Sequence, residues 1–510
     1  MNPILLRGGR LVPVDGRSVT PSDPVDLFLD QGRVTNVGPR LPRPAGVDEV
    51  ALDGRFVIPG LWDHHVHMTQ WAATLRRVDL AGTASPRHVL ERVRDHIAAL
   101  DSSGAAPDTL VVGWGYRSGA WDPLPSVTAL DAVSGLHPVV LMSGDGHNGW
   151  LNTIALDLMG VPRRDTPLDE GDWFPIWPRV SALPGAAEQA DAGFADALGR
   201  AAAAGVVGIT DLEFDAATGT WPARYAAGLD SIRVRVGVYA DQLDRVIADG
   251  RRTGDVWEGT GGLSTTGPFK VISDGSLGTR TAHCCDPYPV ALQGDWPYGK
   301  QNISLDDLAA AMARATTSGL DCAIHAIGDA AMDIALDAYA ATGARGSIEH
   351  AQLTTPAQIQ RMAAHGIRAS VQPAHLLDDR DLTSVCWPGR EDRTFMFRSM
   401  LDAGVRLALG SDAPVSPLDP WLAMAAAVHR SADARDPWTP EQGITAAEAL
   451  AGSTDGWGTV ATGHPADLAV LDTDPLAGSA ADGTAAVGRQ LRDVRVALTF
   501  VDGRLVHDAR

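Results

Sequence analysis

Cysteine is scarce, with four in 510 residues (Cys284, Cys285, Cys322 and Cys386). None belongs to a CxxC pair, so a disulfide framework is not expected. A reducing, cytoplasmic setting is the expectation that follows. Positive charge is also short, 42 Lys and Arg against 63 Asp and Glu, a formal net charge of -21. That balance argues against a nucleic-acid partner and against an anionic membrane surface. No apolar run approaches the length of a membrane span. The start, Met1-Asn2-Pro3-Ile4-Leu5-Leu6-Arg7, lacks a basic region followed by a long apolar stretch, so no signal peptide is expected. A Gly-rich phosphate turn, the marker of a doubly wound nucleotide-binding sheet, is missing as well.

What remains is an ordinary soluble composition, 45% apolar and 21% charged, in a chain too long for one simple core. The first sixty residues read as short strands broken at Gly8-Gly9 and Gln31-Gly32, and the last fifty look alike. Matching β-rich ends suggest one small β-sandwich domain assembled from residues 1–57 and 457–510. Residues 58–456 alternate short apolar runs with Ala-rich helical segments. The runs include 109–113, 138–142, 205–210, 234–239, 269–272, 321–325, 347–350, 368–372 and 406–410. Strand–helix alternation means a parallel sheet, and about eight such units over roughly 400 residues fit a (β/α)8 TIM-like barrel. Residues 83–190 are richer in Pro, Gly and Trp and read as an inserted lobe or long loops.

Reacting groups of a barrel belong at the C-terminal ends of its strands. Polar residues recur there. The run Val57-Ile58-Pro59-Gly60-Leu61-Trp62-Asp63-His64-His65-Val66-His67 ends in alternating histidines. Alternation points His65 and His67 to one face, where two imidazoles suit a transition metal, and turns His64 to the other. Lys270 lies in the sixth candidate strand, before Ser273-Asp274-Gly275. His325, His350 and Asp412 close three later runs. A lone strand-end histidine is more often structural than ligating; several at equivalent ends favour a shared metal.

The order His-x-His, Lys, His, His, Asp resembles the metal-dependent amidohydrolase superfamily. Finer matches resemble amidohydrolase family 3, the YtcJ-like group that includes N-substituted formamide deformylases. They are Pro59-Gly60-Leu61-Trp62-Asp63-His64-His65-Val66-His67, Ser143-Gly144-Asp145-Gly146-His147-Asn148-Gly149-Trp150-Leu151-Asn152 and Asp274-Gly275-Ser276-Leu277-Gly278-Thr279-Arg280-Thr281-Ala282. His325-Ala326-Ile327-Gly328-Asp329, Ile348-Glu349-His350-Ala351-Gln352, Ser370-Val371-Gln372-Pro373 and Leu409-Gly410-Ser411-Asp412-Ala413-Pro414-Val415 complete the series.

The resemblance implies a divalent metal, zinc as the leading choice, as one or two ions. It makes His65 and His67 ligands of the first position with Asp412 beside them, and His325 and His350 the histidines of the second. Lys270 matches the lysine that relatives can carboxylate to bridge two metals; an unmodified ammonium paired with Asp274 or Asp412 is the competing reading. Zinc-class cations lower the pKa of bound water to about 7, so a metal-activated hydroxide is the expected nucleophile. Asp412 would carry its proton to the leaving nitrogen. His147, in the Asp-Gly-His motif, or His375, alternatively a structural loop histidine, would steady the oxyanion. Arg280 resembles the family's arginine and would either orient substrate or, the favoured reading, pair structurally with Asp274.

The expected activity is hydrolysis of a non-peptide carbon–nitrogen bond in a small N-acyl, N-formyl or cyclic amide. Deamination of a ring amine by the same chemistry is the alternative, and a metal-free binding protein on this fold the remote one. Of fourteen tryptophans, among them Trp62, Trp71, Trp114, Trp121, Trp150, Trp173, Trp177, Trp296 and Trp387, most are expected to pack loops onto the scaffold, while some would line an apolar or aromatic substrate pocket. The connection at 445–458 and the turn at 462–467 depart from the family pattern, which bears on the domain junction. The segment at 170–175 departs as well and is expected to face the substrate, so specificity does not transfer. Barrel hydrolases often self-associate, which allows a homo-oligomer.

Overall fold

The Pro59-Gly60 break is where one sheet hands the chain to another. A computed structural model of the protein describes residues 2–14, 20–116, 121, 124–143, 148–173, 175–214, 219–290, 296–431, 433–478 and 483–510. Strands β1 (Ile4–Leu11), β2 (Val25–Asp30), β3 (Arg33–Gly38), β4 (Asp48–Ala51) and β5 (Phe56–Pro59) precede the break, and β6 (Leu61–Val66) follows it at once. A Cβ on Gly60 would lie 2.2 Å from Val207 Cγ1, so only glycine fits this crossing.

After β6 come β7 (Val78–Asp79), β8 (Val111–Tyr116), β9 (Val139–Ser143) and β10 (Gly149–Leu151). They form a four-stranded sheet in the order β10-β9-β8-β7, inside a compact unit of residues 71–197. The remaining residues, 1–70 and 198–510, make the other unit. The apolar runs at 109–113 and 138–142, read from sequence among the barrel alternation, are therefore β8 and β9 of a separate sheet. A buried parallel strand is a continuous apolar run whichever sheet it joins.

The barrel resumes with β11 (Val206–Asp211), β12 (Arg233–Val238), β13 (Ser264–Ile272), β14 (Cys322–Ala326), β15 (Gly346–His350), β16 (Arg368–Val371) and β17 (Leu407–Leu409). With β6 these make eight parallel strands in sequential order, a TIM-like α/β barrel. The seam between its first and last strands is closed by Asp412 N–H to His65 O at 2.7 Å and His67 N–H to Ala413 O at 2.9 Å. Lys270 accordingly lies on the fourth barrel strand. Helices between strands carry their own start signals: Ser304 caps Leu305–Thr317 by accepting from the Asp307 N–H.

Three last strands, β18 (Leu468–Leu471), β19 (Val496–Val501) and β20 (Arg504–Asp508), return to the beginning of the chain. They join it along the path β20-β19-β18-β5-β1-β2-β3, with β4 on β1. Both ends share a core in which Leu6, Leu27 and Val57 meet Leu468, Leu498 and Phe500. Among the described residues no helix is long and apolar enough to cross a membrane.

Candidate metal centre and active site

The register of β6 against β11 slips near the histidines. Ile209 pairs with Asp63, yet Asp211 pairs with Val66, so β6 spends three steps where its neighbour spends two. A one-residue bulge of this kind re-aims side chains. In keeping with the alternation, His64 lines a different cavity, shared with Glu349 and Ser370. It stays out of the cavity that His65 and His67 line. Asp63 is buried and ties the seam together, accepting from the His65 N–H at 3.1 Å and from the Ser411 N–H at 3.0 Å.

His65, His67, Lys270, His325, His350, His375 and Asp412 all line one cavity of about 460 Å³. They arrive from the ends of β6, β13, β14 and β15 and from the segments following β16 and β17. His147, the eighth residue expected at the site, lies outside the described residues. His65, His350 and Asp412 each offer a ligand atom within 4.8 Å of the other two. Asp412 Oδ1 is 3.4 Å from both His65 Nε2 and His67 Nε2, and its Oδ2 is 3.9 Å from His375 Nε2. The His325 and His350 rings lie 4.5 Å apart, centre to centre. His350 and Asp412 hold left-handed backbone, φ 70° and 56°, a strained conformation for side-chain-bearing residues that is tolerated where it aims a functional group.

Glu349 governs His65. Its Oε2 lies 2.7 Å from His65 Nδ1, and its other oxygen accepts from Ser347 Oγ at 2.6 Å. Burial lowers the His65 pKa to about 4, with the Lys270 charge adding to the effect. Burial raises Glu349, but the His65 contacts, Lys270 and Ser347 outweigh it and hold the carboxyl down to about 2. A neutral imidazole donating Nδ1–H to a carboxylate turns the lone pair of Nε2 toward Asp412, the arrangement that orients a ligating histidine. Burial also raises Asp412, yet the surrounding histidines hold it well below the usual carboxylate range.

Lys270 is 2% exposed and its Nζ has no hydrogen-bond partner among the described residues. Burial lowers its pKa, opposed by Glu349 and Asp412. Asp274 does not serve it, since that carboxylate accepts backbone N–H groups from His283, Ile327 and Gly328 at 2.9, 3.1 and 2.9 Å. His67 Nδ1, His350 Nδ1 and His375 Nε2 are likewise buried without a partner. Each such orphan costs about 1–3 kcal/mol unless something satisfies it. Imidazole, carboxylate and an amine of lowered pKa form a donor set that fits a borderline divalent cation.

One expectation needs correction. Arg280 is exposed and makes no ion pair with Asp274 among the described residues. None of the tryptophans lines the described cavity; Phe214, with Ile272, Leu277 and Val415, supplies its apolar wall. Trp150, Trp173 and Trp387 are fully buried packing residues. Sequence reasoning quoted Glu349 within a motif but gave it no role. It also passed over a compositional signal: Lys270 and Lys300 are the only lysines in the chain.

A model of the amidohydrolase family matches residues 48–507. The chain belongs to the amidohydrolase family. It is 30% identical to Protein LONG AFTER FAR-RED 3 of Arabidopsis thaliana, over 88% of this chain and 84% of that protein. It is 28% identical to the N-substituted formamide deformylase of Arthrobacter pascens, over 100% of this chain and 99% of that one. Among solved structures, an uncharacterized metal-dependent hydrolase from Pyrococcus horikoshii OT3 shares the fold with a TM-score of 0.76 at 24% identity, over 94% of this chain and 99% of that one. The resemblance read from the motifs to amidohydrolase family 3, with its deformylase and YtcJ members, holds over nearly the whole length of this family member.

Proposed function

We propose that this amidohydrolase cleaves the carbon–nitrogen bond of a small N-acyl, N-formyl or cyclic amide. The observation that carries this reading is the cluster of His65, His350 and Asp412 at the mouth of the barrel, ringed by unsatisfied buried nitrogens. The full-length likeness to a formamide deformylase supports it.

His65, His67, His325, His350 and Asp412, with Lys270 if carboxylated, would hold one or two ions, zinc first among them. Such a cation, when bound, lowers the pKa of water and polarises a carbonyl. Asp412, kept ionised by its histidines, takes a proton from the attacking water on Oδ2 and delivers it to the departing nitrogen. His375 presents Nε2 to the carbonyl oxygen as charge develops there, and His147 is assigned the same task. Phe214, Ile272, Leu277 and Val415 favour an apolar substituent on the amide. A cytoplasmic setting agrees with four free cysteines. For the chain ends, we read the shared core as a two-layer sandwich of residues 1–57 and 457–510 flanking the barrel of 58–456, with its insertion around 83–190.

The test is metal analysis combined with turnover across N-formyl amines, N-acyl amino acids, lactams and hydantoins, for the native chain and Asp412→Ala. Turnover that survives the change with metal still bound removes Asp412 as proton carrier. Ammonia release from ring amines alone transfers the site to the deaminase alternative.

A further inference from the structure

The compact unit of residues 71–197 contains a cavity of its own, about 270 Å³, that the proposed reaction does not use. Its wall is largely apolar, with Leu110, Val112, Trp177 and Val180 on it. One cation, Arg77, faces this wall with no ion pair among the described residues. The Arg77 guanidinium lies 5.6 Å from the centre of the Trp177 ring, a contact that uses none of its N–H donors. It makes no ion pair and no side-chain hydrogen bond to any described residue, whereas its neighbour Arg76 pairs with Asp196 at 2.8 Å. Carboxylates are not in short supply in a chain with 63 acidic residues against 42 basic ones. The Arg77 side chain is only partly exposed, and burial lowers its pKa with no acid acting against it.

We propose that this cavity binds a small apolar monocarboxylate, aromatic or short-chain aliphatic, with the carboxylate on the Arg77 fork and the body against Trp177, Leu110 and Val180. A guanidinium matches a carboxylate through two parallel N–H···O bonds. A phosphate dianion would call for a second free cation, and Arg76 is committed to Asp196. A neutral apolar ligand would leave Arg77 unsatisfied.

Calorimetric titration of the full chain with benzoate, phenylacetate, hexanoate, benzamide and inorganic phosphate tests the site. At least one of the three carboxylates binds, benzamide binds about tenfold or more weakly because it forfeits the charge-assisted pair, and phosphate binds no better than benzamide. Arg77→Gln lowers carboxylate affinity by a similar factor while its urea midpoint stays that of the native chain. Equal binding of benzoate and benzamide, phosphate binding as tightly as benzoate, or no binding of any carboxylate overturns the proposal. So does undiminished binding in Arg77→Gln. Should that variant fail to fold, the native-chain comparison of benzoate with benzamide decides alone.

Discussion

A histidine becomes a ligand through what holds its other nitrogen. His65 is read as a candidate from its own strand, but the carboxylate that fixes its tautomer is 284 positions away on the sixth barrel strand. Glu349→Gln preserves the shape of that contact and removes its charge. Metal affinity in the variant should fall by about 10–100-fold, measured by competition with a chromogenic chelator, while thermal stability changes little once metal is supplied. Asp412→Ala should lower turnover by about 10²–10⁴-fold. The histidines and Asp412 were legible because motif residues sit in fixed order along the chain. Glu349 was not, since a buried acid beside a histidine has a role only once its cross-strand partner is known. The slip of β6 against β11 was not legible either, because a bulge is a relation between two strands that neither strand announces.

At the scale of elements, close approach governs the crossing from terminal sheet to barrel. Gly60→Ala should destabilise the protein by about 1–3 kcal/mol through overpacking against Val207. Urea midpoints of that variant and of the double change with Val207→Ala should show partial rescue, the mark of a direct clash. The end of β11 carries a pH dependence of defined sign. Asp211 is fully buried and accepts from Trp221 Nε1 at 2.8 Å and from the Met68 N–H at 3.2 Å. Burial raises its pKa from 3.8 to about 6 despite those bonds. A raised carboxyl pKa means that the folded state keeps a proton the unfolded chain has lost. The stabilisation is present in full below about pH 4 and is lost as pH rises through about 6, on the order of 2–3 kcal/mol. The stability gap between the native chain and Asp211→Asn should therefore move in the variant's favour between pH 4 and 7, as measured by urea unfolding at each pH. The helix at Leu305–Thr317 carries its own start signal, Ser304 with Asp307 three residues on. The runs at 109–113 and 138–142 were readable as strands but not as members of their sheet, because pairing partners are chosen by tertiary contacts.

For the whole molecule, the barrel's closing bonds and the candidate site occupy the same few residues. The last strand meets the first through Asp412 N–H on His65 O and His67 N–H on Ala413 O. Asp63 clasps the Ser411 N–H across the same join, and any side chain at Gly410 would press to within 2.8 Å of the His65 nitrogen. The cylinder thus has a clasp, and a cation between His65 and Asp412 would fasten it. Hydrogen exchange after chelation should quicken first at residues 61–67 and 407–413 and last in the middle strands, and slow again when a divalent cation is added back. Ion uptake and circular closure would then be one cooperative act, in which the protein that lost its catalytic atom would also begin to unroll.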